Sequence, residues 1–439
     1  MALKRALIDG VLGIESAADA SARKSATRRR IRSSHLLIMT QFFPPDFAAT
    51  GQLIEELVTQ IGQQNVDVRV FTGQPGYAFA KENAPEVETR GRVRVKRSRT
   101  TQVFSRRIRG KTINGLLFAV RSLAHLAINS RRYQTLLVTT APPFLPMIGY
   151  LANVFFGLSY VCLLYDLYPD IAVELKVVKG NHPIAVLWRW INCRVWRRSD
   201  KIIVLSESMK QRIARQCPAV TDKISVIHSW ADSEKIVPIA KKDNWFAREH
   251  GLVEPFVVMY SGNMGRCHDI DTIFLVAQRL KNEPILFVCI GDGAKRTALT
   301  KAVAAAGLKN FLFLPYQEKS ALPYSLTACD LSLVSVADGM ESLVAPSKLY
   351  PAMATGRPIG AICPSHSYLK YLLATASCGA AFGNGEVDKV ADFILGLSRD
   401  QEKAKTMGAS GRQYLESHFT PKIAAQQYLS ALKLFEMRI

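Results

Sequence analysis

The chain predicts an α/β protein built from two doubly wound parallel sheets that face one another across a cleft. Three observations predict it. From His35 onward, short apolar runs of strand length alternate with helical segments, the pattern of parallel strands covered by helices. At 439 residues the chain exceeds what one hydrophobic core usually serves, so two domains are expected. The alternation also breaks once, over 231–252, where Asp232, Pro238, Lys241, Lys242, Asp243 and Gly251 make a polar connector, and then restarts. Apolar content of 48% supplies both cores and argues against disorder.

In the first half, residues 35–40 are a mostly apolar run suited to a strand buried on both faces. A loop with Pro44, Pro45 and Gly51 follows, then a helix with Leu53, Leu57 and Ile61 on one face. Further strands are expected at 67–72, 92–96, 135–140, 160–165, 201–205 and 224–228. After the connector come strands at 256–261, 285–290, 311–314, 331–336 and 359–362, with helices at 270–280 and 294–306. The closing stretch 423–437 has helical periodicity. The expected divisions are an arm over 1–33, a first domain over 34–235, a second over 236–415 and a closing helix over 416–439.

Charge is unevenly placed. The net charge is +21, no acidic residue occurs from Thr89 to Tyr165, and thirteen Lys or Arg fall between Arg90 and Arg132. A second basic stretch runs from Arg189 to Arg215. Single cations are ordinary solvated surface, but so long a stretch without carboxylates points to a polyanionic surface. Phe104, Leu116, Leu117 and Phe118 lie among Arg106, Arg107, Arg109 and Lys111, offering apolar anchors beside cations for an anionic membrane. The arm carries the cluster Arg28 to Arg32 with Asp9, Glu15 and Asp19 and no apolar core of signal-peptide length. The eight cysteines are scattered without CxxC pairs and read as reduced thiols of a cytoplasmic protein. Residues 144–165 are uncharged but interrupted by Pro146, Gly149 and Gly157. They read as a helix over 144–156, a turn at Gly157 and a strand over 160–165, with a membrane span as the alternative.

Two motifs carry chemistry. Gly262-Asn-Met-Gly-Arg266 follows an expected strand, and Pro346-Ser-Lys348 precedes an expected helix. Glycine lets a phosphate approach backbone N–H groups closely, and Arg266 and Lys348 would add full charges. Gly262, Asn263, Gly265, Arg266, Pro346, Ser347 and Lys348 are thus candidate diphosphate-binding residues. Gly291-Asp-Gly293 ends another strand and is by itself a weak signal, a tight turn as readily as a ligand loop. Asp166 and Asp170 follow a buried strand, where a carboxylate can act in catalysis or hold an acceptor hydroxyl; an N-cap or turn is the plainer reading of Asp170. Ser206-Glu207 reads equally as a helix start, and His228 as a satisfied histidine at the core edge. Walker A, HExxH and GxSxG motifs are absent.

Taken in order, the 41–46 loop, Asp166-Leu-Tyr-Pro169, Val204-Leu-Ser-Glu-Ser-Met209, Ser229-Trp-Ala-Asp232, Gly262 to Arg266, Gly291-Asp-Gly293, Pro346-Ser-Lys348 and Ala354-Thr-Gly-Arg-Pro358 resemble glycosyltransferase family 4, the retaining GT-B enzymes. The likeness spans roughly 35 to 435 and is nearest the bacterial branch that builds exopolysaccharide and O-antigen units on lipid carriers. It implies a first domain that holds a lipid-linked or glycan acceptor and a second that grips a nucleoside-diphosphate sugar, with Arg266 and Lys348 neutralising the diphosphate. It also implies Gly51 opposite them across the cleft and a last helix that crosses back to the first domain. No metal and no cofactor beyond the donor are expected, and Asp166 would position the acceptor or stabilise the reacting carbon. The expected setting is the cytoplasm, at the inner face of the plasma membrane.

The sequence departs from that family in three places. The Glu-x7-Glu motif falls on Leu343 and Pro351, with Glu341 near but out of register. Only His268 represents the basic residue expected after the arginine, and Ser229 stands where asparagine is common. Two rival functions remain at this stage. A sugar-nucleotide epimerase shares the architecture and needs no acceptor. A nucleic-acid-binding protein rests on charge alone and lacks interleaved aromatics, so no nucleic-acid partner is expected.

Overall fold

The apolar runs fold as strands because their side chains can be buried on both sheet faces. A computed structural model describes residues 35–46, 48–75, 84–98 and 108–434; the expected arm over 1–33 lies outside them. The first sheet contains β1 (His35–Met39), β2 (Asp67–Gly73), β3 (Val87–Arg90), β4 (Val93–Ser98), β5 (Thr135–Thr139), β6 (Ser159–Leu164), β7 (Lys201–Val204) and β8 (Ile224–Val226), in the order β3-β4-β2-β1-β5-β6-β7-β8. Only the edge strand β3 is antiparallel to its neighbour. The second sheet contains β9 (Phe256–Ser261), β10 (Ile285–Ile290), β11 (Phe311–Leu314), β12 (Leu331–Ser335), β13 (Ile359–Ile362) and β14 (Gly379–Phe382), in the order β11-β10-β9-β12-β13-β14. It is parallel throughout. Chain order reverses beside β1 in one sheet and beside β9 in the other, and a crevice opens past the carboxyl ends at such points.

The uncharged 144–165 stretch is the helix Leu145–Phe156, closed by Gly157 at φ 65°, followed by β6. Among the described residues no helix is long and apolar enough to cross a membrane. Part of the basic stretch, with Arg109, Lys111 and Arg121, forms the long helix Ile108–Asn129. Of its expected anchors, Leu116 is exposed, whereas Phe118 is fully buried and stacks on Phe71. The periodicity explains this: Phe118 lies on the same helix face as Ser122 and Leu126, which point at the sheet. Phe104, Arg106 and Arg107 lie outside the described residues, as do the side chains of Arg109 and Lys111.

The two domains touch through backbone as well as side chains. Asp166 bridges to Val344, Leu167 N–H donates to Leu343 O at 3.1 Å, and Ser208 Oγ donates to Glu341 O at 3.0 Å. Lys319 of the second domain pairs with Glu55 of the first at 2.7 Å. The last helix, Pro421–Ala431, packs against the helix Ala49–Gln63. Next to it, Trp230 donates to Glu56 at 3.0 Å and meets Tyr428 edge-on. One apolar cluster runs through Leu164 and Tyr165 of the first domain to Tyr350 and Tyr428.

Candidate active site

The phosphate-binding candidates after β9 lie at the switch point of the second sheet. Gly262 has φ 127° and Gly265 leads into a turn, and the following helix, Asp271–Arg279, begins only at Asp271. Gly262 to Arg266 is therefore a free-standing loop, and the helix starts within one residue of the expected 270–280 segment. Asp269 fixes that start: its carboxylate accepts from Thr272 N at 2.9 Å and Thr272 Oγ1 at 2.6 Å. Gly262 N–H and Met264 N–H are tied to Ile290 O and Asp292 O, each at 2.8 Å. Among the described residues the N–H groups of Asn263, Gly265 and Arg266 make no hydrogen bond, leaving three donors on one turn.

Gly291 and Gly293, at φ 126° and 147°, press against this loop from behind. A Cβ on Gly293 would sit 2.5 Å from Asn263 Oδ1 and 2.6 Å from Met264 O, and one on Gly291 would collide with Gly262 O. Both glycines are needed where they stand for loop-on-loop packing.

Lys348 reaches the same loop from the residue before the helix Leu349–Ala354. Its Nζ donates to Tyr260 Oη at 2.7 Å and Asn263 O at 3.2 Å, and lies 4.5 Å above the Tyr260 ring. Its Cε also covers Gly262. Pro346, just before it, is buried and caps the turn through its carbonyl to Leu349 N–H at 3.3 Å, and Ser347 is half-buried. Among the described residues Lys348 has no carboxylate partner, and burial pushes its ammonium down from 10.5 to about 7. Arg266 is exposed on the loop, also without a carboxylate. The structure thus sets Lys348 against the loop that carries Arg266 and three unused N–H groups.

His268 corrects an expectation. It stands where a further cation was sought, but Nδ1 lies 2.8 Å from Ser335 O, so that nitrogen carries the hydrogen and Nε2, 3.4 Å from Lys348 Nζ, presents its lone pair. Burial and the nearby Lys348 push its pKa down to about 3. His268 orients Lys348 and adds no charge. Neither Tyr260 nor His268 as a lysine partner was legible in the sequence, because the contacts span 88 and 80 residues.

From the first domain, Asp166 follows β6 and faces this loop. Burial pushes its carboxyl up to about 6, and burial first, then the Asp166 charge, raise the Cys267 thiol next to Arg266. Asp170 points away. It is buried, paired with Arg189 at 2.8 Å and bonded to Gln216, and so is structural. Ser206 caps the helix Glu207–Gln216 through Met209 N–H at 3.3 Å. His228 is held by Tyr350 Oη at 3.1 Å and three aromatic rings. Glu341 pairs with His366 at 2.9 Å. Gly51 lies inside the helix Ala49–Gln63, not in a loop; a Cβ there would meet the Phe42 backbone at 3.1 Å. Among the described residues no group of three His, Cys, Asp or Glu is placed to hold a metal ion.

Known proteins share this architecture. Residues 49–230 match the family described as "Glycosyl transferase 4-like domain", and 241–414 match "Glycosyl transferases group 1". WbjE of Pseudomonas aeruginosa, named as a glycosyltransferase, is 26% identical over 77% of this chain and 82% of its own. WcaI of Escherichia coli (strain K12), named as a colanic acid biosynthesis glycosyl transferase, is 29% identical over 36% of this chain and 39% of its own. Among solved structures, sucrose-phosphate synthase from Thermosynechococcus elongatus superposes with a TM-score of 0.75 at 16% identity, covering 92% of this chain and 99% of that one. Anabaena HepE in complex with UDP and glucose gives 0.68 at 14% identity, covering 91% and 100%. With matching families across both domains and GT-B enzymes as its structural neighbours, the chain belongs to the family 4-type GT-B glycosyltransferases.

Proposed function

We propose that this glycosyltransferase moves a sugar from a nucleoside-diphosphate donor to a lipid-linked saccharide or other glycan acceptor, with retention of configuration and without a metal, during assembly of a bacterial polysaccharide. The observation that carries the proposal is one loop beside β9 that carries Arg266 and three unused N–H groups and is met by Lys348, neither cation having a carboxylate partner among the described residues. Breaking the donor C1–O bond builds charge on the diphosphate, and fixed donors aimed at that charge stabilise it without reorganising. Gly262, Asn263, Gly265, Pro346 and Ser347 shape the cradle, and Gly291 and Gly293 hold it. Asp166, half-buried across the domain contact, orients the acceptor hydroxyl, and a leaving-group oxygen takes the proton. WcaI's printed role supports the polysaccharide setting, and the HepE complex supports a UDP-type donor.

A lipid-linked acceptor implies work at a membrane surface. The helices Ile108–Asn129, Leu145–Phe156 and Pro183–Arg198 lie side by side and expose Leu116, Val120, Phe155, Leu187 and Trp190 beside Arg121, Arg194 and Arg197. Apolar anchors flanked by cations suit peripheral docking on anionic lipid. The test is a thermal-shift screen of UDP-, GDP- and ADP-sugars followed by turnover with lipid-diphosphate acceptors. Donor binding with sugar transfer that keeps the anomeric configuration supports the reading. Interconversion of the donor sugar with no acceptor present would indicate an epimerase.

A further inference from the structure

A second cluster of uncompensated cations lies well outside the donor cradle, at the outer edge of the first sheet. In the parallel register of β2 and β4, Arg69 stands opposite Arg94 and Phe71 opposite Lys96, so these side chains share one sheet face. Val87 of β3 pairs with Lys96 and shares that face, while Glu88 turns to the other side, where it pairs with Arg97 and Arg90. The end of the helix Ile108–Asn129 covers the same face with His125 and Asn129, and Arg132 and Tyr133 follow it. Between sheet and helix is a cavity of about 150 Å3 lined by Arg69, Arg94, Lys96, His125, Arg132 and Tyr133, among others.

Arg69, Arg94, Lys96 and Arg132 have no carboxylate partner among the described residues. The nearest carboxylate in the strand row, Asp67, is taken by Arg92 at 2.9 Å. Three of the four act on the imidazole they flank: burial first, then Lys96, Arg132 and Arg69, push His125 down to about 4. The neutral ring is held by Tyr133 Oη at 2.9 Å and stacks on Phe71. Arg69 is half-buried and Arg94, Lys96 and Arg132 are exposed, so the four line the rim of a small polar hollow that an anion can enter and that attracts negative charge. Guanidinium groups favour tetrahedral oxyanions, which they grip with paired N–H donors, and the cavity has room for little more than a phosphate or diphosphate.

We infer that the hollow between β2, β4 and the end of the helix Ile108–Asn129 is an anion site for a phosphate-class group, separate from the donor cradle and using none of its residues. Two sources present that chemistry, a free phosphate or diphosphate and the headgroup of an anionic lipid. The experiment is isothermal titration of the full chain with inorganic diphosphate, using Lys348→Ala to weaken the donor cradle and Lys348→Ala with Arg94→Gln and Lys96→Gln. Arg94 and Lys96 are exposed, so their loss spares the core, and turnover of the Arg94→Gln, Lys96→Gln pair in an otherwise intact chain verifies folding. Lys348→Ala should retain a diphosphate site, and the added pair should weaken it by roughly tenfold or more, as expected for charge-assisted contacts. Co-sedimentation with phosphatidylglycerol vesicles separates the sources. Binding that the pair weakens and diphosphate competes identifies a headgroup, and unchanged vesicle binding identifies a soluble anion. No diphosphate binding to Lys348→Ala, or binding indifferent to the pair, overturns the inference.

Discussion

The Lys348 ammonium rests on a phenol, a carbonyl and a neutral imidazole, so it has hydrogen-bond partners but no counter-charge. An anion in the cleft would supply it. Replacing Arg266 or Lys348 with alanine should lower kcat/KM by about a hundredfold, or about 3 kcal/mol of transition-state stabilisation, measured by initial rates of sugar transfer. The depressed pKa gives a further expectation. Because burial holds Lys348 near 7, the ammonium is lost as pH rises above 7, and donor binding must restore the proton. Donor Kd should therefore climb between pH 6.5 and 8.5, by up to about tenfold per unit, and Lys348→Arg should flatten the profile. Asp166 has the opposite sign. Its folded carboxyl titrates near 6 against 3.8 for the ordinary group, so the stability of its protonated form is present below about 4 and lost as pH rises through 6. At pH 7.5 Asp166→Asn should raise Tm while lowering kcat, and at pH 4 the gain in Tm should vanish. A purely structural aspartate would lose Tm instead. These residues were legible because each ends a strand or precedes a helix. Their partners were not, since Tyr260 and His268 read as a strand interior and a loop.

At the level of elements, the paired glycine loops behind β9 and β10 set the cradle's shape. Gly293→Val places a Cβ against Asn263 and Met264 at a φ that side chains avoid. A shift of about 1 Å in the cradle is worth about a hundredfold in rate. Gly293→Val should therefore impair transfer as severely as Lys348→Ala, and circular dichroism should show the fold retained. The buried strands were legible because each is a continuous apolar run; β9, β10, β11 and β13 fall on the expected residues. The edge strands β3 and β14 were not. Val87–Arg90 is polar and exposed, and Gly379–Phe382 is built of small residues, so neither has the signal that burial on two faces leaves. The helix faces behaved similarly: an apolar run beside cations marked the basic helix, but only packing shows that Phe118 turns inward and that Leu187 and Trp190, on a helix outside the acid-free stretch, turn outward. Replacing Leu187 and Trp190 with glutamine should weaken binding to anionic vesicles without affecting transfer to a soluble acceptor, and high salt should release the wild-type chain.

For the whole molecule, the two sheets meet at their carboxyl ends, and the chain crosses back so that its last helix lies on the first domain. This places Asp166 of one domain against the loop that leads, four residues on from Val344, to Lys348 of the other. The central claim is that this junction neutralises a donor diphosphate with fixed cations alone. The most direct measurement is sugar transfer by the full chain, with excess chelator present, comparing wild type with Arg266→Ala, Lys348→Ala. The account predicts undiminished transfer by the wild type and loss of at least about a hundredfold in the double variant. Transfer abolished by chelator and restored by manganese, or a double variant within about a factor of two of wild type, would contradict it.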